Sequence, residues 1–103
     1  MEFENVSIVK KANVYYDGKV VSRTVKFNDG TTKTLGFMQV GSYTFNTGAA
    51  EIMEFLSGEV EVLLPNLKEP LKINGVGIFH VPANSSFTCN VIKIADYCCS
   101  YAQ

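Results

Sequence analysis

The sequence predicts an all-β fold, a barrel or two-sheet sandwich of short antiparallel strands. Three observations predict it. Short runs rich in Val, Ile, Thr, Tyr and Phe fill most of the chain. Turn-forming pairs such as Asp17-Gly18, Asp29-Gly30 and Asn74-Gly75 punctuate the runs, at a spacing typical of all-β domains. Within several runs, such as Glu59 to Leu64, apolar and polar residues alternate with the period of two that a half-buried strand requires.

The strands follow in order. Asn13-Val14-Tyr15-Tyr16 runs into the hairpin signal Asp17-Gly18. Val20 to Phe27 places Val21, Arg23, Val25 and Phe27 on one face and Val20, Ser22, Thr24 and Lys26 on the other. Asn28-Asp29-Gly30 closes it with residues that tolerate positive φ. Thr32 to Val40 and Ser42 to Thr47 come next, each stopped by a glycine. Glu51 to Leu56 is predicted to turn at Ser57-Gly58 into Glu59 to Leu64, where Val60 and Val62 face opposite to Glu59 and Glu61. Leu71 to Ile73 turns at Asn74-Gly75 into Gly77 to Val81, and Pro82-Ala83-Asn84 makes a bend. Phe87 to Ile94 and Tyr97 to Tyr101 complete the set. Ala49 to Phe55 is the one stretch that competes as a helix, and its β-rich flanks favour a strand. So many short strands favour closure, which removes exposed edges; a jelly roll is one such solution.

Bulk properties bound the function. The 103 residues suit a single domain, 1–103, with residues 1–11 as an extension or edge segment. The net charge is −1 and the nine basic residues are scattered, with Lys10-Lys11 the one doublet; nucleic-acid binding needs them clustered. No apolar run approaches the roughly 18 residues of a membrane helix, and Met1 to Lys10 carries Glu2 and Glu4 rather than a signal-like core. The expectation is a cytoplasmic protein without membrane or nucleic-acid partners. Cys89, Cys98 and Cys99 form no spaced disulfide framework. The adjacent pair points to opposite faces of a strand and is expected to hold reduced thiols.

The most specific pattern begins at Glu51, which is followed by six residues and then Gly58. This resembles the first motif of the cupins, in which an HxH pair precedes a Glu. In a metal-binding cupin those histidines would fall at Phe45 and Thr47, and a later one at Phe87. Glu51 alone cannot hold a transition metal, which needs several ligands. The expectation is a metal-free barrel without a cofactor. His80 is the sole histidine and reads as a strand residue more readily than as a ligand.

Further motifs narrow the resemblance. Asn13-Val14-Tyr15-Tyr16, Leu35-Gly36-Phe37-Met38, and Gly41-Ser42-Tyr43-Thr44-Phe45-Asn46-Thr47 are followed by Glu51-Ile52-Met53 and Ser57-Gly58. Then come Val62-Leu63-Leu64-Pro65, Gly77-Ile78-Phe79-His80-Val81-Pro82 and Tyr97-Cys98-Cys99-Ser100-Tyr101. In this order and spacing they resemble the pyrimidine/purine nucleoside phosphorylase family of small cupins over residues 12–101. The resemblance implies a jelly-roll cupin barrel, usually dimeric. It implies a nucleotide-salvage transferase with broad specificity. Nucleoside and inorganic phosphate would become free base and pentose 1-phosphate, with uridine, cytidine, thymidine, adenosine, guanosine, inosine and xanthosine as substrates. Relatives often carry Arg where this chain has Ser100, which removes a charge. A binding cupin that keeps the pocket without catalysis is the alternative.

Phosphorolysis must hold phosphate in line with the anomeric carbon and stabilise a departing base, through an oxocarbenium-like state. Lys19 and Lys33 are the candidate phosphate ligands, with the Thr47 hydroxyl and backbone N–H groups near Gly48; the bland alternative is two solvated lysines. Glu51 is the candidate catalytic residue, either binding ribose or protonating the base, or else a partly buried carboxylate bonded to its neighbours. Phe45 and Phe87 either stack on a base or fill the space a metal left. Tyr43 shares a face with Phe45 and Thr47, and Tyr101 shares one with Tyr97; their hydroxyls either contact substrate or complete the core. Glu54 faces away from Glu51, which argues against a paired-carboxylate device. Arg23 reads as structural or intersubunit.

Overall fold

A computed structural model describes residues 2–102. They form nine strands: β1 (Ser7–Ile8), β2 (Asn13–Tyr15), β3 (Val20–Lys26), β4 (Thr32–Met38), β5 (Gly41–Asn46), β6 (Glu51–Leu63), β7 (Leu71–Asn74), β8 (Gly77–Val81) and β9 (Ser86–Tyr101). A single 3-10 turn, Tyr16–Gly18, joins β2 to β3. No helix among the described residues is long and apolar enough to cross a membrane.

The long strands β6 and β9 organise everything else. They pair antiparallel from Glu51↔Tyr101 to Leu63↔Thr88, and each changes its outer partner part-way along. The C-terminal part of β9 pairs with β4 from Lys33↔Ser100 to Met38↔Ala95. Its N-terminal part pairs with β5 from Gly41↔Val91 to Asn46↔Ser86. On β6, residues Glu51 to Phe55 pair with β8, and Glu59 to Val62 pair with β7. One sheet is therefore β3-β4-β9-β6-β8 and the other β5-β9-β6-β7, and the two share the bent pair. Strands that switch sheets at a bend form the corners of such folds. β1 and β2 add to the outer edge of β3. Among the described residues the pairing does not return on itself to close a ring.

The bend differs from the sequence expectation. Ser57-Gly58 is not a hairpin turn, because β6 runs through it. The register against β9 shifts between Phe55 and Ser57, between Ser57 and Glu59, and again between Glu59 and Val60. Gly58 has φ +105, and a Cβ there would stand 2.5 Å from the Ile94 carbonyl oxygen. The positive φ that suggested a turn serves a bulge instead. The break expected between Ile94 and Tyr97 is likewise absent, since β9 crosses the same bend unbroken.

The core lies between the two sheets. Phe55, Val60, Val62, Met53, Phe79, Cys89, Val91 and Ala95 are among its buried members. On β6, Met53 and Phe55 point inward while Ile52 and Leu56 are exposed, as period two demands. Burial on β3 changes phase. Val20 and Ser22 are buried at its start. Further along, Val25 is buried but stands outside the core cluster. Cys98 is buried outside that cluster too, on the outer face, whereas Cys99 faces inward. The adjacent thiols are thus on opposite faces, and Cys89, Cys98 and Cys99 are all free.

Candidate functional site

A cavity of about 390 Å³ is lined by residues of both sheets and of the turn before β3, within the size range of small-molecule pockets. Its floor is built by alternation on neighbouring strands. Ser22 on β3, Thr34 on β4, Cys99 and Tyr97 on β9, and Met53 on β6 line it together. Their registers explain why: Thr34 pairs with Cys99, and Cys99 with Met53. Gly36 lies in register between Ser22 and Tyr97. A Cβ at Gly36 would stand 2.2 Å from the Val21 carbonyl oxygen, so the strands approach there as only glycine permits.

Glu51 and Tyr101 are direct partners across β6 and β9, and both line the cavity. Burial raises the Glu51 carboxyl above its usual range, and a hydrogen bond from the Cys99 thiol offsets part of this. The cause is the loss of water around the carboxylate, which disfavours its charged form. Burial also pushes the Cys99 thiol up to about 12 and the Tyr97 phenol up to about 12. Tyr101 is raised by the same cause. Apart from Glu51, the polar side chains of the cavity wall carry no charge: hydroxyls, a thiol and an amide.

Phe45 and Phe87 pair across β5 and β9 and line the side wall. Their ring centroids are 5.5 Å apart with planes inclined at 33°. Phe79 packs edge-on behind Phe87 at 6.0 Å. Tyr15 and Tyr16 line the cavity beside Thr44 and Asn46. Tyr16 stands edge-on to Phe45 at 5.9 Å.

The other expected site residues lie elsewhere. Tyr43 is buried in the core, and its hydroxyl donates to the Gln39 carbonyl oxygen at 2.8 Å. Its side chain folds back over Gly41, where a Cβ would stand 2.7 Å from the Tyr43 Oη. Thr47 is buried too. Its hydroxyl donates to the Pro82 carbonyl at 2.7 Å and accepts from the Ser85 amide at 3.0 Å, which ties two loops together. Neither hydroxyl is turned toward the cavity. Lys33 points to the opposite face from its cavity-lining neighbour Thr34. Its ammonium sits 5.5 Å from the Phe3 ring centroid and 5.9 Å from that of Phe27, a cation–π arrangement. Lys19 is exposed at the foot of β3. The two lysines expected to hold phosphate are thus not at the cavity. The residues lining it include no Lys or Arg.

Ser100 alternates with Cys99 and Tyr101 and so faces outward, between Lys33 and Ile52. A longer basic side chain at that position would start from the outer face. Sequence reasoning missed Tyr15, Tyr16, Ser22 and Thr34. The period-two pattern did place Ser22 on the face of Val20, but a serine there carried no chemical signal. Among the described residues no three of His, Cys, Asp and Glu come together as metal ligands.

The family model for pyrimidine/purine nucleoside phosphorylase matches residues 10–101. The chain belongs to this family. A pyrimidine/purine nucleoside phosphorylase of Geobacter sulfurreducens is 60% identical over 97% of this chain and 96% of its own. One of Citrifermentans bemidjiense is 59% identical over 97% of both chains. Among solved structures, a protein of unknown function from Acinetobacter sp. ADP1 is 38% identical, with TM-score 0.92 over 98% of both chains. A cupin superfamily protein of Desulfitobacterium hafniense shares the fold with TM-score 0.65 at 14% identity, over 90% of this chain and 84% of that one. The fold of this phosphorylase-family chain is cupin-like, with Phe45 and Phe87 at the cavity and Thr47 turned away from it.

Proposed function

We propose that this chain is a nucleoside phosphorylase of broad specificity, a pentosyltransferase acting on purine and pyrimidine nucleosides. The observation that carries the reading is the cavity that sets the Phe45–Phe87 ring pair beside Glu51. Membership in the family supports it. A base stacks on the phenyl rings, which accept any heterocycle with a flat face. The hydroxyls of Ser22, Thr34, Tyr97 and Tyr101 face the sugar and phosphate. A phosphate oxygen forms the new bond to the anomeric carbon as the carbon–nitrogen bond breaks. The bonding pair leaves with the base, and the Glu51 carboxyl supplies its proton. The proton carried by phosphate restores the carboxyl.

This route needs the proton on Glu51 for phosphate as much as for the base, since an ionised carboxylate would repel a dianion in a cavity lined by no cationic side chain. The proposal extends to a homodimer working in the cytoplasm, where three unpaired thiols remain reduced. The absence of a cationic side chain from the lining favours a second reading, a cupin that binds a neutral ligand without turnover.

The deciding experiment is base release from a nucleoside panel with and without inorganic phosphate. Release that requires phosphate and yields pentose 1-phosphate supports the phosphorylase. Release without phosphate makes the chain a hydrolase. No release from any nucleoside leaves the binding cupin.

A further inference from the structure

Tyr16 is held in a way that no neighbouring residue is. Its hydroxyl donates to the Thr44 carbonyl oxygen and accepts from the Thr44 amide at 3.1 Å. In an antiparallel ladder successive residues turn their polar groups to alternate sides. The polar groups of Thr44 therefore point away from β9, along the free edge of β5. A phenol stands there in place of a neighbouring strand.

The segment carrying that phenol is strained, and outside the turn it is held by the phenol and by its ring, which packs on Tyr43 at 5.1 Å between centroids. Tyr16, Asp17 and Gly18 all have positive φ, at 52°, 55° and 89°. Two of the three are not glycine, and such residues persist only where surrounding contacts enforce them. The preceding strand β2 has three residues and pairs with β3 alone. The Lys19 amide bonds the Tyr16 carbonyl across the turn, which makes the turn one unit, and the Gln39 amide bonds the Lys19 carbonyl at its foot. Tyr16 is 44% exposed, yet its ring closes one wall of the cavity against Phe45.

We propose that Tyr16 is a substrate-positioning residue, the latched cover of the cavity. The turn Tyr16–Gly18 lifts when the hydroxyl leaves Thr44, admits the nucleoside, and closes with the ring against it. Nothing in the closed state depends on catalysis, but the identity of the ligand rests on the phosphorylase reading. A latch of this kind couples two observables. The Thr44 amide exchanges with solvent whenever the cover is open, and ligand affinity depends on the closed fraction.

The test is amide hydrogen exchange combined with kinetics. In the wild-type chain, saturating uridine without phosphate is expected to slow exchange of the Thr44 amide at least threefold. In Tyr16→Phe, which keeps the ring and loses the hydroxyl, that amide is expected to exchange at least tenfold faster. The Tyr43 and Phe45 amides, paired with β9, should not change. KM for the nucleoside should rise at least fivefold while kcat falls less than twofold. Thr44 exchange indifferent to uridine in the wild type, or a wild-type KM in Tyr16→Phe, overturns the cover. Uridine protection of Thr44 without any base release keeps the cover and removes the phosphorylase. Phosphate-dependent base release with KM untouched by Tyr16→Phe does the reverse.

Discussion

Glu51 is the residue on which the chemistry turns, and its position makes two predictions. Glu51→Gln keeps the shape and loses the transferable proton, so kcat/KM should fall at least tenfold, about 1.4 kcal/mol of transition-state stabilisation. Steady-state kinetics with a single nucleoside check this. The second concerns stability. Burial raises the Glu51 carboxyl, so the folded chain keeps a proton that the unfolded chain has already lost. This contribution is fully present below the unfolded value and is lost as pH rises through the folded one. Denaturant titrations across the acidic range should show that decline in the wild type and a shallower one in Glu51→Gln. The resemblance to the cupin motifs marked Glu51, Phe45 and Phe87, and the period of two put Tyr101 on the face of Tyr97; all five line the cavity. The sequence could not show that the hydroxyls of Tyr43 and Thr47 are consumed by the backbone. The partners, Gln39 for one and Pro82 with Ser85 for the other, are fixed by loops rather than by a period.

At the scale of the element, the bulge in β6 is the feature with the clearest consequence. Gly58→Ala would place a methyl group 2.5 Å from the Ile94 carbonyl oxygen and 2.6 Å from the Ala95 Cα, at φ +105. Backbone on both strands must shift. The expected cost is at least about 2 kcal/mol, from positive-φ strain and overpacking together. Thermal unfolding should show a Tm lower by about 8 °C or more. Gly30→Ala is the matched control for positive φ alone, because nothing lies within 4 Å of a Cβ at that position. Most strand positions were legible in the sequence, whereas the continuity of β6 and β9 was not. A glycine with positive φ looks alike in a turn and in a bulge. Only pairing with a distant strand decides between them. The two-residue strand β1 carried no pattern of its own and exists by docking on Val25 and Lys26.

The whole molecule presents one broad outer face. In register across it run Arg23, Leu35, Cys98, Glu54 and Ile78. The centre of this row is apolar, with a cation toward one end and a carboxylate toward the other. A two-fold axis between Leu35 and Cys98 would lay Arg23 of one copy over Glu54 of a second, the self-complementarity an isologous dimer needs. Sedimentation of Arg23→Glu is expected to show a dimer weakened at least tenfold, and Arg23→Glu with Glu54→Arg together should recover it. Equal association of all three chains would move the interface elsewhere.

The shared pair β6 and β9 also sets when the molecule can fold. β9 follows in sequence every strand it joins, and it supplies a neighbour to β4, β5 and β6 alike. Lys33 must find Ser100 before the larger sheet is whole, and Gly41 must find Val91 before the smaller one is. Contacts this distant along the chain place such proteins among the slow two-state folders, on the order of milliseconds to seconds. As the chain leaves the ribosome, β4 and β5 emerge well before their shared partner. Both sheets therefore become whole only after β9 has been synthesised, although β1 to β4 can pair among themselves before then.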